Sequence, residues 1–385
     1  MLIKQKYLFT PGPTPVPERV KQAMNQPMIG HRTQEFPLLL DDVSHKLMPI
    51  FGSANPIMVL SGSGTAALET AVANVVEEGD PVVVIVAGAF GDRFAKICEA
   101  YGADIYVLEI AWGTACTSEQ LHSFLKKINI RPKAVIVTYC ETSTGVLHPV
   151  HELGIVVKQE TDALFIVDGV SCIGAVPVDM KSWNIDILVS GSQKALMLPP
   201  GLAFIASNDK AKEVFKKCRS KRFYLDLNRY SSSFDNESST PFTPAISLIY
   251  GLQEVCHIIE EEGVEQVISR HQLLKTMIRT GLEALEIHLL TSNSDASPTV
   301  TAIKTSDYTS KKIKNWLQEN YGISIAGGQG KFKGDIIRIG HMGYCTPFDV
   351  LRLLNAMEMT VHQLEGKPVL GVATTKAQEA WITHV

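Results

Sequence analysis

An α/β fold is predicted by three features of the sequence: a large domain with a mostly parallel sheet covered by helices, then a smaller α+β domain. Strands of five or six apolar residues alternate with helical stretches, the pattern of a parallel sheet buried on both faces. Candidate ligand residues follow those strands one after another, as in open α/β sheets that bind beyond the carboxyl ends of their strands. Past Pro200 the pattern changes, and a chain of 385 residues exceeds the roughly 250–300 over which one core grows. We place the large domain over residues 16–262 and the small one over 263–385. An arm, residues 1–15, packs on the small domain or on the dimer.

Taken in order, residues 7–17 carry prolines at 11, 13, 15 and 17, so they form an extended arm and neither helix nor central strand. Tyr7, Leu8 and Phe9 give that arm something to bury. Pro17 opens a helix. The polar loop Gly30–Phe36, whose His31 and Arg32 could face a substrate, precedes a helix from about Pro37 to Phe51. A short strand from Pro56 then runs into Ser61-Gly-Ser-Gly-Thr65 and an alanine-rich helix. Glycines let backbone approach a ligand, and the free N–H groups of a helix start favour a phosphate. Neither Gly-Lys-Ser/Thr nor a third spaced glycine follows, so nucleoside-triphosphate and dinucleotide fingerprints both fail.

Strands follow at Val82–Val86, Gly102–Leu108 and Lys133–Thr138. Phe90 lies beyond the first, and Cys140-Glu-Thr-Ser-Thr-Gly-Val146 beyond the third. Ala163–Asp168 and Trp183–Val189 are two more buried strands. Residues 222–244 read as an aromatic stretch, a serine-rich loop and Ser239-Thr-Pro-Phe-Thr-Pro244. A helix opens at Pro244, and a long amphipathic one runs from Gly263 through Leu285. The small domain holds a strand at Pro298–Ile303, a helix around Ser310–Glu319 and a strand at Ile336–Met342, interrupted by Arg338.

The chemistry centres on Val189-Ser-Gly-Ser-Gln-Lys-Ala-Leu-Met-Leu-Pro-Pro-Gly201. A lysine entering an apolar run is costly to bury unless paired or used. Desolvation lowers its pKa and makes Lys194 a nucleophile able to form a Schiff base with an aldehyde. The strand before it ends in Asp168. Adjacent strands delivering an aspartate and a lysine to one sheet edge make the pair that pyridoxal phosphate requires: lysine for the aldehyde, aspartate for the pyridine nitrogen.

Composition excludes other classes. With 45% hydrophobic and 20% charged residues and a net charge of -4, no basic surface for nucleic acid is present. The longest uncharged apolar run, Pro81 to Phe90, is far below the roughly 18 residues of a membrane span. No signal peptide or lipidation tail is recognised, so the cytoplasm is the expected compartment. The seven cysteines stand singly without Cys-x-x-Cys, so no metal or disulfide framework is signalled.

Five segments occur in the order found in class V aminotransferases of the alanine/serine–glyoxylate group. These are Ser-Gly-Ser-Gly-Thr, Glu-Thr-Ser-Thr-Gly-Val, Val-Asp-Gly-Val-Ser, Ser-Gly-Ser-Gln-Lys-Ala-Leu…Pro-Pro-Gly and Arg-Ile-Gly-His-Met-Gly. The chain resembles that family from the Pro-Gly-Pro-Thr arm to the C-terminal domain, and the resemblance implies the fold type I architecture of pyridoxal-phosphate enzymes. It further implies that Lys194 carries the cofactor aldehyde and Asp168 pairs with the ring nitrogen. Ser63, Gly64, Thr65 and Gln193 would hold the phosphate. Phe90 would stack in place of a tryptophan, Thr142 would lie near the ring hydroxyl, and Arg338 would bind the substrate α-carboxylate, with Gly12 of the arm beside it. Thr240 and Thr243 would reach the phosphate of a partner subunit, giving a homodimer with shared active sites. The substrates implied are a small amino acid, alanine or serine, and a small 2-oxo acid, glyoxylate or pyruvate. The alternatives are another pyridoxal-phosphate chemistry, lyase or desulfurase, and a non-catalytic accessory subunit, since some cyanobacterial relatives carry a soluble-hydrogenase label.

Overall fold

The computed structural model describes residues 5–305 and 307–384; residues 1–4 of the predicted arm and Val385 lie outside them. Thirteen strands are found among the described residues. They are β1 (Tyr7–Phe9), β2 (Met58–Gly62), β3 (Pro81–Val86), β4 (Asp104–Glu109), β5 (Ala134–Thr138), β6 (Cys140–Glu141) and β7 (Val146–Leu147). Then come β8 (Leu164–Asp168), β9 (Ile187–Gly191), β10 (Gly201–Ser207), β11 (Val300–Lys304), β12 (Ile323–Gly327) and β13 (Ile336–Gly340).

The large sheet has the order β2-β10-β9-β8-β5-β3-β4. Only β10 runs against its neighbours; β9, β8, β5, β3 and β4 pair in parallel. Side chains alternate across a strand, and both faces here are apolar. Val83, Ile85, Val135, Val137, Phe165, Val167, Leu188 and Phe204 enter one core with helices Glu35–Lys46, Val150–Glu160 and Ile246–Glu262. Val82, Val84, Ala134, Ile136, Leu164, Ile166, Ile187 and Val189 enter the other with helices Gly64–Ala73 and Ala89–Ala100. Every parallel strand therefore delivers its carboxyl end to one rim.

A second sheet, β1-β12-β13-β11, forms after Gly263 together with the arm. Tyr7, Leu8 and Phe9 pair in parallel with Ile323, Ser324 and Ile325. Phe9 enters the core formed with helices Val264–Ala284, Pro347–Glu365 and Val372–His384. Burying such a ring stabilises by on the order of 2 kcal/mol, which helps to anchor the proline-rich arm. No helix among the described residues is long and apolar enough to cross a membrane.

Three local expectations are corrected. Trp183 and Asn184 lie in a turn, and the strand covers Ile187–Gly191. The apolar run is continuous, but Asn184 adopts φ 55°, outside the extended region. The serine-rich stretch is a helix, Leu227–Glu237, because Asp226 caps it by accepting from Asn228 N and because Leu227 and Tyr230 bury one face. The helix expected to run unbroken from Pro37 to Phe51 is two, Glu35–Lys46 and Met48–Phe51, with Pro49 in the first turn of the second.

Candidate active site

The rim of the large sheet brings Asp168 and Lys194 together. β8 and β9 are adjacent and parallel, with Asp168 paired to Val189, so the strand ends present both residues to one side. Asp168 is buried, and one carboxylate oxygen accepts from Val170 N at 2.9 Å. No cation lies within ion-pair distance of it among the described residues. Burial raises its pKa to about 7; the Val170 N–H opposes this, and the charge of Glu141 adds to it.

Lys194 sits three residues past β9, in a turn held by Ser192, whose hydroxyl donates to Pro199 O at 2.7 Å and accepts from Leu202 N at 3.1 Å. Its Nζ donates to the carbonyl of Pro11 in the arm. Thr14 Oγ1 donates to Lys194 O at 3.0 Å. Burial, and next the Arg338 charge, bring the lysine down to about 8, so a useful fraction is unprotonated near neutrality. Gly12 stands directly against it: a Cβ there would lie 2.5 Å from Lys194 Cδ and 2.7 Å from Nζ, and the backbone at φ 97° already favours glycine.

The cradle residues also converge. Ser63 caps helix Gly64–Ala73, its hydroxyl accepting from Ala66 N at 3.3 Å, and Gly64 and Thr65 are the first helical residues. A Cβ on Gly191 would meet the backbone of Gly64 at 3.1 Å and Gln193 Oε1 at 3.3 Å, so the two segments pack closely at this corner. The Gln193 Oε1 atom is buried without a hydrogen-bond partner among the described residues. Arg93, which the sequence reading missed, reaches Thr65 Oγ1 at 3.5 Å while its guanidinium lies 4.9 Å from the Phe90 ring centroid. The i, i+3 spacing of Phe90 and Arg93 on one helix was the available signal.

The segment after β5 supplies the far wall. Thr142 Oγ1 shares a hydrogen bond with Ser171 Oγ, and Thr142 O accepts from Arg338 Nη1 at 3.2 Å. Arg338 is buried on β13, and its Nε donates to Gly327 O at 2.8 Å. It has no carboxylate partner among the described residues, and burial lowers it to about 10. Its remaining N–H groups suit an incoming carboxylate. Glu141, also unread from the sequence as a site residue, is buried and accepts from Phe90 N at 3.2 Å.

Two predicted residues stand apart within one chain. Thr240 is buried and donates to Phe242 O at 2.7 Å, while its carbonyl accepts from Arg32 at 3.2 Å. Thr243 is exposed. Neither makes a hydrogen bond to the Lys194 cluster among the described residues. Arg32, considered as substrate-facing, instead holds this loop.

The residues fit pyridoxal 5'-phosphate. A buried carboxylate lacks a cation, a lysine is half-buried beside the rim, and a glycine-lined helix start adjoins an unpartnered amide. Known proteins give the same answer. The family Aminotransferase class-V matches residues 6–350. An uncharacterized aminotransferase of Methanocaldococcus jannaschii is 42% identical over 362 residues, 94% of each chain. The soluble hydrogenase small subunit of a Synechococcus is 37% identical, with 93% of each chain covered. The serine–glyoxylate aminotransferase of Arabidopsis thaliana is 31% identical over 98% of this chain and 95% of its own. The crystal structure of an alanine–glyoxylate aminotransferase from a Nostoc superposes with a TM-score of 0.89, at 31% identity over 94% of this chain and 96% of that one. The chain belongs to the class V aminotransferase family, and it is a pyridoxal-phosphate-dependent transaminase acting on an amino acid and a 2-oxo acid.

Proposed function

We propose that this transaminase takes the amino group of a small amino acid, alanine or serine, and passes it to a small 2-oxo acid such as glyoxylate or pyruvate. The observation that carries the reading is Arg338: one buried guanidinium, free of any carboxylate among the described residues, on the Lys194 side of the site. One cation for one α-carboxylate suits donors and acceptors without a second acidic group. Gly12 and Pro11 of the arm stand directly against Lys194.

In this reading Ser63, Gly64, Thr65 and Gln193 hold the cofactor phosphate, Asp168 pairs with the pyridine nitrogen, Phe90 stacks on the ring and Thr142 lies by its hydroxyl. The cofactor supplies an electron sink for charge left at the substrate Cα. Arg338 fixes the substrate carboxylate by paired N–H donors. Lys194 Nζ, depressed towards neutrality, takes the Cα proton and later returns it. Thr240 and Thr243 serve the phosphate of the partner subunit in a cytoplasmic homodimer that binds no nucleic acid.

A desulfurase needs a reachable cysteine thiolate, and six of the seven cysteines are buried with Cys218 only partly exposed. An accessory subunit would have no use for Lys194 and Asp168, and both are in place. The test is a panel of amino acids against glyoxylate, pyruvate and 2-oxoglutarate. Highest kcat/KM for alanine or serine with glyoxylate or pyruvate is expected; a preference for aspartate, glutamate or 2-oxoglutarate overturns the reading.

A further inference from the structure

The helix that carries Phe90, Ala89–Ala100, begins at Gly88, which has no side chain with which to cap it. A helix start left with bare N–H groups in a buried place is costly. Here the missing caps come from β6 and the turn that follows it. Ala89 N donates to Ser143 Oγ at 2.9 Å. Phe90 N donates to both oxygens of Glu141, at 3.3 and 3.2 Å, and Gly91 N to Oε2 at 3.0 Å. Glu141 also accepts from Ser143 N at 3.1 Å and Ser143 Oγ at 2.5 Å. The carboxylate is fully buried, with no cation in ion-pair distance among the described residues; N–H dipoles and the positive end of the helix take the place of water. Gly88 and Glu141 are matched in shape, because a Cβ on Gly88 would overlap the carboxylate.

The next residue in the chain faces the other way. Thr142 O accepts from Arg338, and Thr142 Oγ1 meets Ser171. Three consecutive residues, Glu141, Thr142 and Ser143, thus fix both the helix turn bearing Phe90 and the guanidinium of Arg338. We propose that Glu141 is a positioning residue of the transaminase: its buried carboxylate sets the Phe90 ring and, through the Thr142 carbonyl, keeps Arg338 in register with it. This rests on the site roles proposed above for Phe90 and Arg338.

The test uses the holoenzyme and compares wild type with Glu141→Gln. The amide keeps the shape but places N–H groups where N–H and O–H donors must be accepted. The expected result is weakened circular dichroism of the cofactor's visible band, which reports ring seating. We also expect kcat to fall about 10²-fold, the scale of a misplacement of about 1 Å, with a raised KM for the amino donor. A variant that loses only melting temperature, with band, kcat and KM as in wild type, makes Glu141 a structural cap and overturns the inference. If Glu141→Gln does not fold, Ser143→Ala decides. It removes one cap on the same turn, should dim the same band and slow kcat, and overturns the inference if both are unchanged. A wild-type protein with no visible cofactor band would sink the site assignment itself, a different result.

Discussion

Two buried aspartates, one ending β8 and one just before β9, differ in how fully their charge is met. Asp186 precedes β9 and is buried, yet each oxygen is used: Phe165 N at 2.8 Å, Lys210 Nζ at 3.3 Å and Asn208 Nδ2 at 2.8 Å. Asp168 ends β8, is as deeply buried, and receives one N–H. Two arginines repeat the contrast. Arg270 is bidentate with Glu262 at 2.6 and 3.0 Å and also serves Gly343 O and Cys345 O. Arg338 has two backbone carbonyls and no carboxylate among the described residues. A buried charge is destabilising unless compensated. Where compensation is complete inside the chain the group holds the fold; where it is missing the group keeps capacity for a ligand, the role proposed above for Asp168 and Arg338.

The largest way to break this comparison is Lys194→Ala, which should abolish turnover and the visible cofactor band while the protein still folds; steady-state transamination by that variant would end the assignment. Asp168→Asn should retain cofactor but slow proton abstraction by about 10³-fold, at ~1.4 kcal/mol per decade. Asp186→Asn should instead cost about 1–3 kcal/mol of stability and leave kcat within a few-fold. Equal rate losses in the two would erase the distinction. Arg338→Lys should raise the KM for amino donors about tenfold, equivalent to about 1.4 kcal/mol, and lower kcat as orientation is lost. Arg270→Lys should lower the melting temperature with KM unchanged. A reversal of those two readouts would mean that Arg338 is the structural one.

The smallest effect is in pH. Lys194 in cofactor-free protein should react with an amine-labelling reagent half-maximally near pH 8, because desolvation favours the neutral amine. The native amine loses its proton below the usual lysine value near 10.4, so labelling rises through about pH 8 while surface lysines remain slow. A midpoint above pH 10 would show that burial does not activate it.

Much of this was legible in sequence. Continuous apolar runs located β3, β5 and β8 because a parallel sheet buried on both faces has no polar side to blur the signal. Asp168, Lys194 and Arg338 were visible for the complementary reason, each a charge at the end or in the middle of such a run. The helix Leu227–Glu237 was not visible, since serines favour loops locally and only tertiary burial of Leu227 and Tyr230 outweighs that. Glu141 escaped because its motif reads as a polar loop; its purpose depends on Gly88, more than fifty residues away in the chain. Arg32 could be placed in a loop but not on its partner Thr240, for the same reason of distance.

The arm makes two contacts a few residues apart. Phe9 is bedded in the small domain, and three residues later Gly12 presses on the Lys194 side chain while the Pro11 carbonyl holds its amine. Between the two contacts the chain is bent, not extended, with Gly12 N donating to Thr10 O at 2.7 Å. This bent backbone segment joins the small sheet to the lysine amine: Phe9 lies in the core of that sheet, and two residues on the Pro11 carbonyl accepts from Nζ.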